Sequence, residues 1–456
     1  MRYSSISTTL LILCASIGLS HPSQTPLGAA DAGSTAPLLA QAQNANISIQ
    51  LFAELEELSR IVDISYCVGT TGISKPFLCA SRCDEFPSFE LVDTFNTGPL
   101  MSDSCGYIAL DHGTRRLGKG RIIVAFRGTY SIANTIVDLS TVPQEYLPYP
   151  DNPDDSSDPG QPISSPREEG RKKKFLHWIP RPGWLRKQDV EEDKKLEEVK
   201  CLNCTVHSGF WTSWENTRPF ILPHLKILKE KYPKYRVDLV GHSLGGAVAA
   251  LAALELNHLG WEPVVTTFGE PRVGNSGLRN YIDRVFDLPS EHFSGPGIFP
   301  HQSGRYRRIT HVDDPVPLLP LQEWGYRAHA GEVYISKAPL QPTIHDIRLC
   351  YGDEDVNCIA SAEVDESWFD SADEATEIYD TMKADPAFEA KQELVGVQKR
   401  WGIPIPARYK VWQLFFAHRD YFWRLGLCVP GGDPLDWGRG HYDFGDGQEM
   451  EGRKEL

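Results

Sequence analysis

A serine in this chain sits where a hydroxyl is commonly set up to attack a carbonyl. Gly241-His242-Ser243-Leu244-Gly245 has the form G-x-S-x-G, in which a tight turn pushes the serine hydroxyl clear of the sheet. Glycine on either side removes the Cβ atoms that would collide across such a turn. Serine is a weak nucleophile by itself. The pattern therefore asks for a base, an acid to orient it, and donors for the oxyanion. In strand–turn–helix hydrolytic sites the chain order is Ser, Asp, His. Thr310-His311-Val312-Asp313-Asp314-Pro315 supplies the acid as Asp314 or its neighbour Asp313. It follows a predicted strand, so the carboxylate falls at the carboxyl edge of the sheet, where such folds bind ligands. For the base, His418 lies in the apolar run Leu414-Phe415-Phe416-Ala417-His418 and needs a partner there. His329 and His345 are its rivals, and the residues alone leave these alternatives open.

The flanking segments are of the kind that would position such a group. Tyr235 to Val240 reads as a short strand, and Ala247 to Leu254 as a strong helix former. Ile49, Phe52, Leu55, Leu58, Ile61 and Val62 recur at helical spacing, so an amphipathic helix opens the folded part after Ser48. Gly106 to Asp111 and Arg121 to Phe126 read as a hairpin whose second arm, Ile122-Ile123-Val124-Ala125-Phe126, suits a strand covered on both faces. Val264 to Phe268 and Tyr306 to Thr310 add strands; Ser208 to Leu228 and Leu278 to Val285 add helices. The alternation predicts an α/β fold with a mostly parallel sheet. Two stretches, 149–199 and 360–403, break the rhythm and read as insertions. Residues 429–456 are rich in glycine and charge and read as a loose tail.

Composition sets the compartment. The 456 residues carry a formal net charge of −15, which argues against nucleic acid as a partner. Leu10 to Leu19 is apolar but too short to span a bilayer. It reads as the core of a signal peptide over residues 1–20, followed by a flexible leader over 21–47. No other long apolar run is present. Ten cysteines imply disulfides, and loss of Cys14 with the signal leaves nine, so one lacks an intrachain partner. Asn46-Ile47-Ser48 and Asn203-Cys204-Thr205 are sequons that fit export.

The residues then reach a known family. Ala125-Phe126-Arg127-Gly128-Thr129, Gly241-His242-Ser243-Leu244-Gly245-Gly246, Gly269-Glu270-Pro271-Arg272-Val273-Gly274, Asp314-Pro315-Val316-Pro317, His329-Ala330-Gly331-Glu332 and His418-Arg419-Asp420-Tyr421-Phe422 stand in order along the chain. Together they resemble the filamentous-fungal class 3 lipases, α/β-hydrolases with helices on both faces of the sheet and a short helical lid. The resemblance spans about residues 48–428 as a single domain. It implies a secreted carboxylic-ester hydrolase acting on acylglycerols at a lipid–water interface, with no metal or organic cofactor. It implies Ser243 as nucleophile, Asp314 as orienting acid and His418 as base, and gives His329 a structural role. Thr129 and Leu244 become the oxyanion donors. The lid corresponds to Ser131 to Leu139, with Ile132, Ile136, Val137 and Leu139 on one apolar face. Thr135 stands there where a tryptophan is common in the family.

The resemblance further implies the disulfides Cys67–Cys428, Cys79–Cys83 and Cys350–Cys358. Outside it, Cys105 is expected to bond Cys201 or Cys204. The run Arg171 to Lys187, with Phe175, Trp178 and Trp184 among cations, is expected to be a second interfacial anchor, the alternative being a disordered linker. Two other readings compete with the lipase: a soluble-ester hydrolase of feruloyl esterase type, and a lipid-binding homologue without turnover.

Overall fold

Residues 47–98, 104–113, 120–128, 143–146, 200–288, 304–363, 417–442 and 444 are described by the computed structural model of the chain. Two units divide the chain, Met1–Ala36 and Pro37–Leu456, and every described residue belongs to the second. The signal and leader expectations for residues 1–46, Asn46, Thr129, the lid residues Ile132, Ile136, Val137 and Leu139, the 149–199 insertion with Phe175, Trp178 and Trp184, and most of 360–403 lie outside the described residues.

Among the described residues, eight strands make the main sheet: β1 Phe89–Asn96, β2 Cys105–Asp111, β3 Arg121–Arg127, β4 Arg236–His242, β5 Val264–Phe268, β6 Tyr306–His311, β7 Glu332–Ile335 and β8 Ile347–Leu349. They lie side by side in chain order. The inner run β3 to β7 is parallel, and β1, β2 and β8 pair antiparallel at the edges. The hairpin expected from residues 106–126 is the β2–β3 pair. Alternation along the buried strands feeds two cores. Ile122, Val124 and Phe126 point into one with Leu239 and Val265. Ile123 and Ala125 point into the other with Val240, Phe268 and Ile309.

Helices fill both sides. α1 Ile49–Ile64 starts at Ser48, whose hydroxyl accepts the Leu51 N–H, and its Phe52, Leu55, Ile61 and Val62 enter the second core. α2 Ser208–Lys231, α3 Leu244–His258 and α4 Ser276–Val285 bury their apolar faces in the first. From Leu244 to Leu254 α3 is apolar all round, as an enclosed helix must be, and it nears solvent at Asn257 and His258. A second, four-stranded sheet joins Pro143–Glu145, Thr205–His207, Gly274–Asn275 and Tyr326–Arg327.

Two expectations are corrected. Residues 430–442 are not a loose tail. Tyr442 packs edge-on against Phe52 and donates its hydroxyl to the Pro342 carbonyl, and Asp433 and Asp436 are buried in ion pairs. The glycines and charges that read as disorder are turn residues and inward-facing partners. Cys105 does not bond Cys201 or Cys204. Those two pair with each other, and Cys105 is a buried thiol on β2 that donates to Asn96 Oδ1 at 3.0 Å. The other bonds present are Cys67–Cys428, Cys79–Cys83 and Cys350–Cys358.

Candidate active site

Parallel strands that end level with one another bring their C-terminal ends to one edge. Phe126 of β3 is in register with Gly241 of β4, and His242 with Phe268 of β5. Ser243 is the single residue between β4 and α3. Its φ of 57° and ψ of −130° lie in a region costly for a residue with a Cβ. The surroundings impose it. A Cβ on Gly241 would sit 2.2 Å from the Gly245 carbonyl oxygen, and one on Gly245 would sit 2.5 Å from that of Phe126. The Ser243 N–H is fixed by the Phe268 carbonyl at 2.9 Å. Leu244 is the first residue of α3, so its N–H belongs to the turn whose donors have no acceptor inside the helix. Gly128 presses against the same turn; a Cβ there would be 2.8 Å from the Ser243 Cβ. The next residue in the chain is Thr129.

Asp314 follows β6 and is buried, as is His418. His418 Nδ1 stands 3.0 and 2.9 Å from the two carboxylate oxygens of Asp314. The Val316 N–H donates to Oδ1 at 2.9 Å, and the Tyr421 hydroxyl donates to Oδ2. Burial works to raise the Asp314 pKa, but the facing His418 and these donors outweigh it, and the carboxyl is held below its ordinary range. Tyr421 is pushed the other way, by burial and by the carboxylate it faces, so it stays a donor. Among the described residues, His418 Nε2 is buried without a hydrogen-bond partner.

His242, beside Ser243 in the chain, ties this pair to the elbow. Its ring stacks on that of His418 with centroids 4.7 Å apart and planes 29° from parallel. Its Nε2 donates to the His418 carbonyl at 2.8 Å, and its Nδ1 accepts from the Tyr66 hydroxyl. Burial, then the neighbouring His418, lowers its pKa to about 3. His242 is therefore a neutral ring with a fixed tautomer. Burial raises the Tyr66 pKa, which keeps that phenol protonated as the donor.

The rival residues lie elsewhere. His329 is buried between Glu270 Oε1 and the Ala330 carbonyl, in a cluster where Glu270 also accepts the hydroxyls of Thr267 and Tyr306. His345 is exposed before β8, and Asp313 is half-buried beside Asp314. The sequence reading missed Tyr66, His242 as a tether, and Tyr421. His242 and Tyr421 lie inside the motifs Gly241 to Gly246 and His418 to Phe422, whose pattern assigns them no role, and nothing near Tyr66 marks it. Among the described residues one group has metal-ligand spacing, Glu332 with Cys350 and Cys358, but the two sulfurs are bonded to each other.

The class 3 lipase family model matches residues 123–324. A secreted mono- and diacylglycerol lipase 2 of Gibberella zeae is 52% identical over 87% of this chain and 86% of that protein. This chain belongs to the class 3 lipase family. Lipase A of Sodiomyces alcalophilus is 50% identical over 88% of each chain. The crystal structure of Lip2 lipase from Yarrowia lipolytica superposes with a TM-score of 0.57 at 26% identity, covering 84% of this lipase and 97% of that chain. The fold is that of the α/β-hydrolases, and the activity is ester hydrolysis of the lipase kind.

Proposed function

We propose that this lipase is exported and hydrolyses acylglycerols through an acyl-enzyme on Ser243. The observation that carries the assignment is the buried pair of His418 and Asp314, stacked on His242 next to the strained serine. Ser243 Oγ attacks the ester carbonyl as His418 Nε2 takes its proton. Asp314 holds the imidazolium through Nδ1. The Leu244 N–H and Thr129 stabilise the oxyanion, each donor typically contributing roughly 3–4 kcal/mol. The tetrahedral intermediate collapses, and His418 returns the proton to the departing alcohol. Water, activated by the same base, then releases the fatty acid.

Several features support export. The relative from Gibberella zeae is named as secreted, residues 1–20 have signal-peptide character, and no helix of the described residues is long and apolar enough to cross a membrane. Asn203 is exposed at positive φ between the paired Cys201 and Cys204 and is the accessible glycosylation site; Asn46 is the second. The catalytic domain runs from about residue 48 and includes the packed segment to Tyr442. The apolar face of Ile132, Ile136, Val137 and Leu139 forms the lid, and Phe175, Trp178 and Trp184 add an interfacial anchor.

The test is the hydrolysis rate against concentration for short- and long-chain glycerol esters, each spanning its solubility limit. A rate that climbs as a long-chain ester passes that limit is the expected result. Saturation below the limit, with preference for soluble aryl esters, would favour the feruloyl esterase reading instead.

A further inference from the structure

The loop from Leu425 to Gly438 reverses the usual arrangement of a surface segment. Its two carboxylates are turned inward and buried. Asp433 Oδ2 accepts from Arg419 Nη2 at 2.7 Å. Asp436 Oδ2 accepts the Arg424 N–H at 2.7 Å, and its other oxygen lies 3.2 Å from Arg439 Nε. The loop's outer face is apolar. Leu435 and Trp437 are each 60% exposed and Leu427 38%, and Pro430 and Pro434 are exposed beside them. Trp437 Nε1, the one polar atom of that ring, already donates to the Pro430 carbonyl at 3.1 Å, so the ring can leave water without losing a hydrogen bond.

A second apolar tip belongs to the same neighbourhood. Thr71 Oγ1 lies 3.0 Å from Cys428 Sγ, and a Cβ on Gly432 would meet the Arg82 guanidinium at 2.4 Å. Between Thr71 and Arg82, the hairpin of Ile73–Ser74 with Leu78–Cys79 exposes Leu78 and Lys75. The loop is also fixed to the catalytic base. Arg419, which follows His418, donates to the Leu425 carbonyl at 2.5 Å as well as to Asp433.

We propose that Leu427, Leu435 and Trp437, with Leu78 on the adjoining hairpin, form a lipid-contact surface that seats this lipase on an uncharged or zwitterionic lipid phase. The proposal rests on the lipase reading, which requires the enzyme to work where its substrate separates from water. Tryptophan and leucine favour the lipid–water boundary. Turning Asp433 and Asp436 inward removes from the loop the charges that would resist that transfer. Among the described residues the surface offers Lys75 but no cation cluster for anionic headgroups, and the whole chain carries a net charge of −15. The match is therefore to neutral lipid.

The experiment measures binding of the full-length protein to vesicles of dialkyl-ether phosphatidylcholine, whose chains no esterase releases. Turnover of a soluble short-chain ester is followed in parallel. Leu435→Ser with Trp437→Ser should weaken partitioning about tenfold, from the apolar area lost. Soluble-ester turnover should stay within about twofold, since neither residue touches the site, and salt should change vesicle binding little. Unchanged vesicle binding in the double variant overturns the proposal, as does a wild-type protein that ignores these vesicles. A wild-type dimer that becomes monomeric in the variant also overturns it, by making the patch a contact between copies. If the double variant also loses soluble turnover, Leu435→Trp decides, with tighter vesicle binding expected and unchanged binding fatal. Because the vesicle readout involves no hydrolysis, a failed acylglycerol assignment would appear only in the turnover assay.

Discussion

Two buried polar clusters lie close together in this lipase and are built on opposite plans. At the centre of the cluster around His418 is the Asp314 carboxylate, enclosed by donors from His418, Tyr421 and Val316. The adjoining His242 ring is neutral and has both nitrogens engaged. Beneath the C-terminal loop, Asp63, Arg82 and Asp436 are all buried; the two carboxylates accept the Gly426 and Arg424 N–H groups at 2.8 and 2.7 Å, but their ion pairs with Arg82 are long. Arg82 Nε is 3.6 Å from Asp63, and its Nη2 is 4.0 Å from Asp436. The guanidinium also lies 4.5 Å over the Trp423 ring. The first cluster fixes where a proton goes, which needs directional hydrogen bonds at every member. The second joins segments distant in sequence, and there the Arg82 guanidinium acts by charge compensation and packing while backbone N–H groups hold the carboxylates.

The sharpest break in this comparison comes from the first cluster. Ser243→Ala and His418→Ala should each lower ester hydrolysis by a factor on the order of ten thousand or more, while the circular dichroism spectrum is preserved. Combining them should add little, because the members act as a unit. Substantial activity in His418→Ala would return the choice of base to the rival histidines.

A smaller effect tests whether the neutral ring matters. Tyr66→Phe removes the donor to His242 Nδ1, freeing the tautomer that holds the His418 carbonyl. The expected result is about a tenfold fall in kcat with KM nearly unchanged, since the loss falls on orientation of the base and not on substrate binding. A raised KM at constant kcat would place Tyr66 in the substrate pocket instead.

The smallest effect is on stability, and it sets the two clusters against each other. Burial raises the Asp63 carboxyl from 3.8 to about 7, against the opposing pull of the Gly426 N–H, Arg82 and Arg419. Between those pH values the folded protein holds a proton that the unfolded chain does not. Stability from this group is thus complete below 3.8 and is lost as pH rises toward 7. His242 acts in the opposite sense. Its pKa falls from 6.5 to about 3, so its contribution is complete above 6.5 and is lost as pH falls. The two slopes oppose one another across mildly acid pH. Asp63→Asn should expose the second, tilting the stability-versus-pH line from urea denaturation by up to about 1.4 kcal/mol per pH unit between roughly pH 4.5 and 6.5. Parallel lines for variant and wild type would mean that Asp63 is ionised in the folded protein.

What the sequence made legible follows the range of the interactions. The elbow could be read because strand, glycine turn and helix are contiguous, and each glycine answers a local clash. Asp314 and His418 were ambiguous from the residues themselves and were selected by the ordered motifs of the family. Tyr66 could not be found at all. Its role depends on a hydrogen bond to His242 across 176 positions, and no local pattern encodes that. β7 was passed over for a related reason. Glu332-Val333-Tyr334-Ile335 is only four residues long and begins with a glutamate, buried here by Arg308 and Thr310 of the adjacent strand. The segment after Cys428 misled for the same cause. Glycine and aspartate look like solvent-seeking chain until Arg82, Arg419 and Arg439 are seen waiting for them.

The bond between Cys67 and Cys428 spans 361 positions. It turns most of the catalytic domain into a covalent ring. On the chain-entropy view, closing so long a loop restricts the unfolded state by about 6 kcal/mol. The ring also changes what a nick does. A protease cutting at Arg171-Lys172-Lys173-Lys174 would open the backbone but release nothing, because both products stay joined through that sulfur bridge. The lipase would then migrate as one species on a non-reducing gel and as two after reduction, so maturation by cleavage inside the ring is compatible with an intact, tethered enzyme.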